Sequence, residues 1–297
     1  MSDSHRTKLL SYAALGVGIL SLGFSGIFVR WAHAPGVVTS FYRMAIAVVL
    51  MALPFARRRR AAGRIPAAGL RYALLGGLFF AGDVALWATG VMLGGATNPT
   101  LLANTAPLWV GVGALLIFRE RLRAAFWAGL LLAMAGAAAV LGLDTLRATA
   151  FGLGSLLGLL AAVFYGGYFL VTQRGRETLD SMTYFWLAAL SSSGVLLLLS
   201  LLLGLPLVGY DRWTYLNFLG VGVVTQTLGY LAITYAIGHV PASLVAPTLL
   251  GQPVVTALLA GPLLGERLSA GHIVGGIAVL GGVYIVHRSR QRAAVEA

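Results

Sequence analysis

Long apolar stretches separated by short polar segments recur along the whole chain. Each has about 20 residues, the length that a helix needs to cross a hydrocarbon core about 30 Å thick. Strands of a membrane barrel would instead show about ten residues of alternating character, so the pattern excludes them. It predicts an all-α membrane protein with ten transmembrane helices, at Ser11–Val29, Val37–Phe55, Leu70–Leu93, Pro99–Phe118, Ala124–Gly142, Phe151–Val171, Met182–Leu203, Trp213–Ile237, Ser243–Leu264 and Ala270–Val286.

The composition agrees with that prediction. Hydrophobic residues make up 59% of the 297 residues, and Asp, Glu, Lys and Arg together only 10%. Soluble domains have about 25% charged residues, so too few remain here to cover a surface exposed to water. No convincing cleavage site follows the first apolar stretch, which predicts an uncleaved helix rather than a signal peptide.

The positions of the basic residues predict the orientation. Cytoplasmic segments of membrane proteins are enriched in Lys and Arg. If the N-terminus is inside, sixteen of the 21 Lys and Arg residues fall on the cytoplasmic side and five on the other. Both termini are therefore expected in the cytoplasm. The same distribution explains the net charge of +12 without a nucleic-acid partner.

An internal repeat is the most informative feature of the chain. Residues Leu108–Val140 align with Val254–Val286 at a constant offset of 146. A weaker similarity, at an offset of 140, pairs Phe24-Ser25-Gly26 with Phe164-Tyr165-Gly166. The landmarks that coincide at the larger offset are Pro107 with Pro253, Glu120-Arg121-Leu122 with Glu266-Arg267-Leu268, Gly129 with Gly275, and Gly136 with Gly282.

The repeat predicts two units of five helices each, 1–145 and 146–297. Because five is odd, the second unit must enter the membrane from the opposite side, which makes it an inverted repeat. Secondary transporters commonly have this architecture, with the substrate site near the bilayer midplane between the two units. A duplicated bundle with no transport role is the alternative.

The paired segments Arg119-Glu120-Arg121-Leu122 and Gly265-Glu266-Arg267-Leu268, each followed by a glycine-rich helix, resemble the repeat of the drug/metabolite transporter superfamily, EamA type. Arg43 matches an Arg-Phe position of that family, although Met44 replaces the aromatic residue. Within the superfamily the chain is similar to bacterial aromatic amino acid exporters of the YddG type. The resemblance implies ten helices, cytoplasmic termini, and export of amino acids or related metabolites across the bacterial cytoplasmic (inner) membrane.

Asp83 is the only acidic residue in the middle of a predicted helix. A carboxylate at this depth costs a few kcal/mol, so it should face a cavity or a partner. Phe80 and Trp87 lie about one helical turn on either side of it. This stripe is a candidate for contact with a substrate ammonium group or for proton coupling. A structural hydrogen bond between helices is the equally weighted alternative.

The fourth and ninth helices hold further candidates beside Pro107 and Pro253, which should bend both helices and form hinges. Packing contacts are the alternative for each of these side chains. Four polar and aromatic helix faces in one small bundle nevertheless favour a central pocket. The remaining candidates for substrate binding are Phe24, Asn104, Thr105, Trp109, Tyr165, Tyr168, Gln226, Tyr230, Thr248 and Gln252.

Other residues are interpreted structurally. Arg43, near the outer end of the second helix, is expected to extend its guanidinium to the membrane interface. Glu120 and Glu266 are expected to cap helices or pair with neighbouring arginines. The four aligned glycines should allow helices to approach closely.

Rival functions find less support in the sequence. Gly23-Phe24-Ser25-Gly26 and His272-Ile273-Val274-Gly275 match the short motifs of rhomboid-like serine proteases, but such tetrapeptides arise easily in a chain with 39 glycines. Neither a phosphate-binding loop for ATP nor a zinc-binding histidine motif is present. The chain has no cysteine, and we expect no cofactor and no metal. A channel stays open as an alternative.

The sequence therefore predicts a carrier, not an enzyme, that exports aromatic and other apolar amino acids by alternating access. Cationic or amphipathic drugs are the alternative substrates, and an intramembrane serine protease is a remote one. Its expected partners are the small-molecule substrate, the membrane lipid and possible coupled protons.

Overall fold

The computed structural model describes residues 3–61, 63–94, 97–142, 152–265 and 268–295, and every regular element within them is a helix. Ten segments of this part of the chain are long and apolar enough to cross a membrane, which confirms the prediction. We number them span 1 to span 10: His5–Val29, Gly36–Arg60, Ala67–Gly90, Pro99–Ile117, Ala124–Leu141, Leu153–Arg176, Ser181–Leu202, Arg212–Ile237, Ala242–Leu263 and Ala270–Gln291.

Six spans are single α-helices: Gly36–Ala61, Ala67–Gly94, Ala124–Leu141, Leu153–Arg176, Ser181–Leu202 and Ala270–Val295. The helices of spans 2 and 10 extend past the predicted ends at Phe55 and Val286. Arginines do not oppose helix formation, so a helix that leaves the hydrocarbon can continue into a basic segment. The predicted start of span 6, at Phe151, lies outside the described residues.

Four spans are interrupted. Span 1 consists of Asp3–Gly23 and Ser25–Trp31, and span 4 of Thr97–Ala103 and Ala106–Ile117. Span 8 passes from an α-helix, Arg212–Gly220, through a π-helix, Val221–Tyr230, into Leu231–Ile237. Span 9 consists of Ala242–Thr248, a short 3₁₀ turn at Leu249–Gly251, and Gln252–Leu264.

The packing of the spans has the pairing that a five-plus-five repeat requires. If span n corresponds to span n+5, every contact between two spans should recur between the two spans that correspond to them. Span 3 packs on spans 6 and 7, and span 8 packs on the corresponding spans 1 and 2. Span 4 packs on span 6, and span 9 on span 1. The correspondence exchanges the two members of some pairs. Three such pairs are in contact: spans 2 and 7, spans 4 and 9, and spans 5 and 10.

The contact between spans 5 and 10 shows the relative direction of the two units. A Cβ added to Gly136 would lie 2.6 Å from the carbonyl oxygen of Gly275, and one added to Gly275 would lie 2.6 Å from that of Gly136. Gly129 and Gly282 are paired in the same reciprocal way. An early residue of each span thus meets a late residue of the other, so the spans are antiparallel and the second unit is inverted. The predicted unit boundary, at residues 145 and 146, lies outside the described residues.

The ends of spans 2 and 7 meet at Asp180, on the side that the basic residues predict to be cytoplasmic. Its carboxylate accepts hydrogen bonds from the amides of Met182 and Thr183 and the hydroxyl of Thr183, and pairs with Arg58 at 2.8 Å. Partial burial raises the pKa of this carboxyl, but the hydrogen bonds and Arg58 outweigh it and hold the pKa below its usual value. Asp180 is therefore an ionised N-cap of span 7.

A substitution at Gly282 tests the close backbone contact between spans 5 and 10. In Gly282→Ala the new methyl group would lie 2.5 Å from the carbonyl oxygen of Gly129, a backbone atom that cannot move aside. We expect a loss of about 1 to 3 kcal/mol, seen as a melting temperature in detergent lowered by about 3 to 10 °C. The adjacent Gly281→Ala is the control, because a Cβ at that position meets nothing within 4 Å. Equal melting temperatures for the two variants would contradict this packing.

The orientation stays a prediction, and the absence of native cysteine makes it simple to test. Arg64 and Val208 are both exposed, between spans 2 and 3 and between spans 7 and 8 respectively. With cytoplasmic termini, a membrane-impermeant maleimide should label Val208→Cys in intact cells. Arg64→Cys should be labelled only after permeabilisation. The reverse pattern would show that the termini lie outside.

Candidate substrate-binding site

Four aromatic rings meet where spans 3, 6 and 8 pack together. Phe80 packs edge to face with Tyr230 and Tyr168, with ring centroids 4.9 and 5.1 Å apart. The rings of Tyr165 and Tyr168 are parallel at 6.2 Å, and the hydroxyls of Tyr165 and Tyr230 are 2.9 Å apart. These four residues, all predicted candidates, come from both units of the repeat.

Arg43 lies inside this cluster, and the prediction that it extends to the interface is wrong. Only 8% of the residue is exposed. Its Nε donates a 2.6 Å hydrogen bond to Oε1 of Gln226, and its guanidinium carbon lies 5.0 Å from the Tyr230 ring centre and 5.4 Å from that of Phe80. Arg43 is seven residues, about 10 Å along a helix, from the start of span 2. A neighbouring amide and two ring faces surround the cation there.

Asp83 faces the same cluster from span 3, and 9% of it is exposed. Its carboxylate interacts electrostatically with Arg43, Tyr165 and Tyr230. Within the part of the chain that the structure describes, however, it has no hydrogen bond and no ion pair within 4 Å. The structural hydrogen bond between helices is therefore not what holds this side chain. The arrangement leaves carboxylate oxygens without a partner beside a buried cation.

The π-helix of span 8 places Gln226 and Tyr230 in the site. Its wider turn is seen in the hydroxyl of Thr227, which donates to the carbonyl of Gly222, five residues earlier. Gly222 and Gly229 allow the segment to approach span 2 and span 1, since a Cβ on either would collide with those spans. π-Helical turns are rare and frequently occur at functional sites.

A narrow cavity adjoins the aromatic cluster and shares Phe80 and Tyr168 with it. It has room for only about one water molecule. An amino acid does not fit it in this conformation. Its walls come from spans 2, 3, 6, 7 and 8 and are formed by Met44, Phe80, Tyr168, Phe185, Ala188, Ala189, Ser192 and Gln226.

The interruptions of spans 4 and 9 lie beside the predicted prolines. Pro107 and Pro253 each occupy the second position of the helix that follows the break, where a proline needs no hydrogen-bond acceptor. The breaks therefore occur at equivalent positions of the two units, as the repeat predicts. Their role as hinges stays a prediction.

Several candidates from span 4 are engaged locally. Asn104 donates to the carbonyl of Thr100, and Thr105 to that of Leu102. The indole of Trp87 donates to the hydroxyl of Thr100, which joins spans 3 and 4. Trp109 is 38% exposed and packs its Cβ against Gly166. The structure does not bring these side chains into the aromatic cluster.

The candidates of spans 1 and 9 also lie apart from it. Thr248 donates to the carbonyl of Leu244 and is 2.8 Å from Nε2 of His287. Phe24 stands at the break of span 1, with its ring 6.2 Å from Phe28. Gln252 begins the second helix of span 9 and accepts from Thr256 through its carbonyl oxygen.

Glu120 was expected to cap a helix or to pair with a neighbouring arginine. It pairs instead with residues of the second unit. Its Oε2 accepts from the hydroxyl of Ser243, at 2.6 Å, and from Arg290, at 2.9 Å. These partners stand at the start of span 9 and near the end of span 10, so the contact ties one end of the bundle together. The equivalent Glu266 lies outside the described residues.

The histidine of the protease-like motifs has a local contact. His272 accepts through Nδ1 from the backbone amide of Ser269, in an exposed turn. Among the described residues, no group of three His, Asp or Glu side chains is placed to hold a metal ion.

Comparison with known proteins agrees with this architecture. The sequence pattern of the EamA-like transporter family matches twice, over residues 10–142 and 152–288. The chain belongs to that family. No curated protein matches. One solved structure, described only as a crystal structure of a protein, is 20% identical, covers 95% of this chain and 97% of its own, and has a TM-score of 0.78. At that identity the likeness shows the fold alone.

Sequence reasoning missed Arg43, Met44, Phe185 and Ser192. For Arg43 a signal was present: the insertion cost that singled out Asp83 applies equally to an arginine a third of the way into a span. A buried carboxylate also requires a cation, and every other Lys or Arg inside the spans lies within five residues of a span end. Nothing in the sequence distinguishes Ser192 from its neighbours Ser191 and Ser193.

The electrostatic coupling of Arg43 and Asp83 can be measured with a double-mutant cycle. Arg43→Met alone leaves a buried carboxylate without a counter-charge, whereas Arg43→Met in an Asp83→Asn background does not. We expect a coupling of about 1 to 3 kcal/mol in the free energy of unfolding in detergent. Effects that add within about 0.5 kcal/mol would show that the two groups do not interact.

Proposed function

We propose that this member of the EamA-like family transports zwitterionic amino acids with aromatic or other apolar side chains. The observation that carries the proposal is the carboxylate of Asp83, buried near Arg43 and without a hydrogen bond among the described residues. A buried charge of this kind is costly unless a partner compensates it. The ammonium group of a substrate would supply that partner.

The charges are complementary to an amino acid backbone. Asp83 matches the ammonium group and Arg43 the carboxylate, each at the edge of a site shielded from water, where electrostatic interactions are strong. The rings of Phe80, Tyr165 and Tyr168 offer an apolar surface beside these charges. Binding would require Arg43 to exchange part of its contact with Gln226 for the substrate.

Alternating access is the mechanism that we propose. The inverted repeat provides two similar units that can exchange conformations around a central site. The site has room for only about one water here, so a substrate must enter through another conformation. Spans 1, 4 and 9 are each interrupted, and such breaks are where a span can bend.

We propose export from the cytoplasm of a bacterium as the direction, with the cytoplasmic membrane as the location. The excess of basic residues in alternate loops supports the orientation. The narrower resemblance to YddG-type exporters supports the direction and the aromatic substrates. Coupling to protons would act through Asp83, the acidic group of the site.

Amphipathic or cationic drugs are the competing substrates. Asp83 alone would attract a cation, but Arg43 in the same site repels it unless the ligand also carries an acceptor. The buried arginine is the observation that favours a zwitterion over a simple cation.

Reconstitution into proteoliposomes tests the proposal. Labelled tryptophan, threonine and a lipophilic cation are supplied in turn, and saturable uptake with counterflow is expected for tryptophan. Asp83→Asn should lower the initial rate by about tenfold or more, because it removes a charged hydrogen-bond acceptor from the bound state. It should also reduce any dependence of the rate on pH.

Glu177→Gln is the matched control. It makes the same change of carboxylate to amide at an exposed position, where Glu177 pairs with Arg174. Its transport should equal that of the unaltered protein. Unsaturable conductance would contradict a carrier. Preferential uptake of the lipophilic cation would favour the drug-efflux alternative.

A further inference from the structure

Ser192 lines the narrow cavity, and its buried hydroxyl has no partner within the described part of the chain. Ser192 is 1% exposed, and among the described residues its Oγ has no hydrogen bond. Most buried serines in helices donate to their own backbone, as Ser200 of the same span does with the carbonyl of Leu196. Because an unpaired buried hydroxyl destabilises the folded state, Ser192 indicates a position that a ligand group or a water fills.

Gln226 presents a second free polar group to the same cavity. Arginine has donors only, so the atom of Gln226 that meets Arg43 Nε at 2.6 Å must be the amide oxygen. The contact fixes the amide against a flip, and its NH₂ group is left for the cavity that Gln226 lines. No hydrogen bond of this NH₂ group occurs within the described residues. The hydroxyl of Ser192 and the amide donor of Gln226 thus belong to residues that line the same, mostly apolar cavity.

The remaining walls determine which side chain would fit. Phe80, Tyr168 and Phe185 provide aromatic surfaces, and Ala188 and Ala189 leave the face of span 7 open. Phe80 and Gln226 also contact Arg43, so the cavity begins where the charged site ends. A substrate whose charged groups lie at Arg43 and Asp83 would extend its side chain past Gln226 into this cavity.

We propose that this cavity is the pocket for the substrate side chain and that Ser192 and Gln226 determine which side chain it binds. The pocket takes an uncharged, mostly apolar side chain with one polar group at its edge, such as a phenol hydroxyl or an indole N–H. Ser192 binds that group, and Ala189 limits the size of the side chain. The inference rests on the proposed transport of amino acids and deepens it.

Paired substrates that differ by one hydroxyl test Ser192. Uptake of tyrosine and phenylalanine is measured with the full protein in proteoliposomes. Ser192→Ala should lower the ratio of kcat/KM for tyrosine to that for phenylalanine by about 3- to 10-fold, the effect of one neutral hydrogen bond. Phenylalanine uptake itself should hardly change. Ser200→Ala, a buried serine of the same span whose hydroxyl bonds within its own helix, should leave the ratio unaltered.

Ala189→Leu tests the shape of the pocket independently. The larger side chain would occupy the cavity, so KM for tryptophan and phenylalanine should rise about tenfold or more, while threonine uptake changes little. The melting temperature of each variant is measured to confirm that it folds.

The outcomes separate the two proposals. An unaltered protein that transports none of these amino acids overturns the proposed function, and the pocket with it. Transport in which Ser192→Ala affects tyrosine and phenylalanine alike overturns the pocket only, and shows that the hydroxyl holds a structural water. Equal effects of Ala189→Leu on tryptophan and threonine would likewise overturn it.

Discussion

A guanidinium and a carboxylate held in the middle of a hydrocarbon layer are the constraint on which the centre of this protein depends. Neither group is tolerated there alone. Arg43 is kept by the oxygen of Gln226 and by the faces of two rings, and Asp83 lies near enough to interact electrostatically with Arg43. These contacts require spans 2, 3 and 8 to meet at one depth. The π-helix, the glycines within it and the tyrosines of span 6 are arranged around that meeting point.

The ten spans, the repeat and its inversion could be predicted because each depends on a pattern that is read directly from consecutive residues of the sequence. A transmembrane helix needs only length and apolar character, and an odd number of helices in each unit fixes the inversion. The break beside each of Pro107 and Pro253 was predictable for the same reason, since a proline disrupts a helix by its own covalent structure.

The site was predicted only in part, because its assembly depends on contacts between distant segments. Phe80, Asp83, Tyr165, Tyr168, Gln226 and Tyr230 come together, whereas Trp109, Thr248 and Phe24 do not. All of these side chains lie on polar or aromatic faces of apolar helices, and helical periodicity does not show which face turns inward. The unpartnered hydroxyl of Ser192 was beyond prediction, since a missing hydrogen bond is a property of the packed structure.

The glycine crossing of spans 5 and 10 has a consequence for movement. These two spans lie on the pseudo-two-fold axis, so exchanging the conformations of the two units returns their contact to itself. Under the alternating access proposed above, this interface would be the same in both conformations. In that mechanism spans 5 and 10 would stay fixed against each other, and the spans that the symmetry carries onto different neighbours would move.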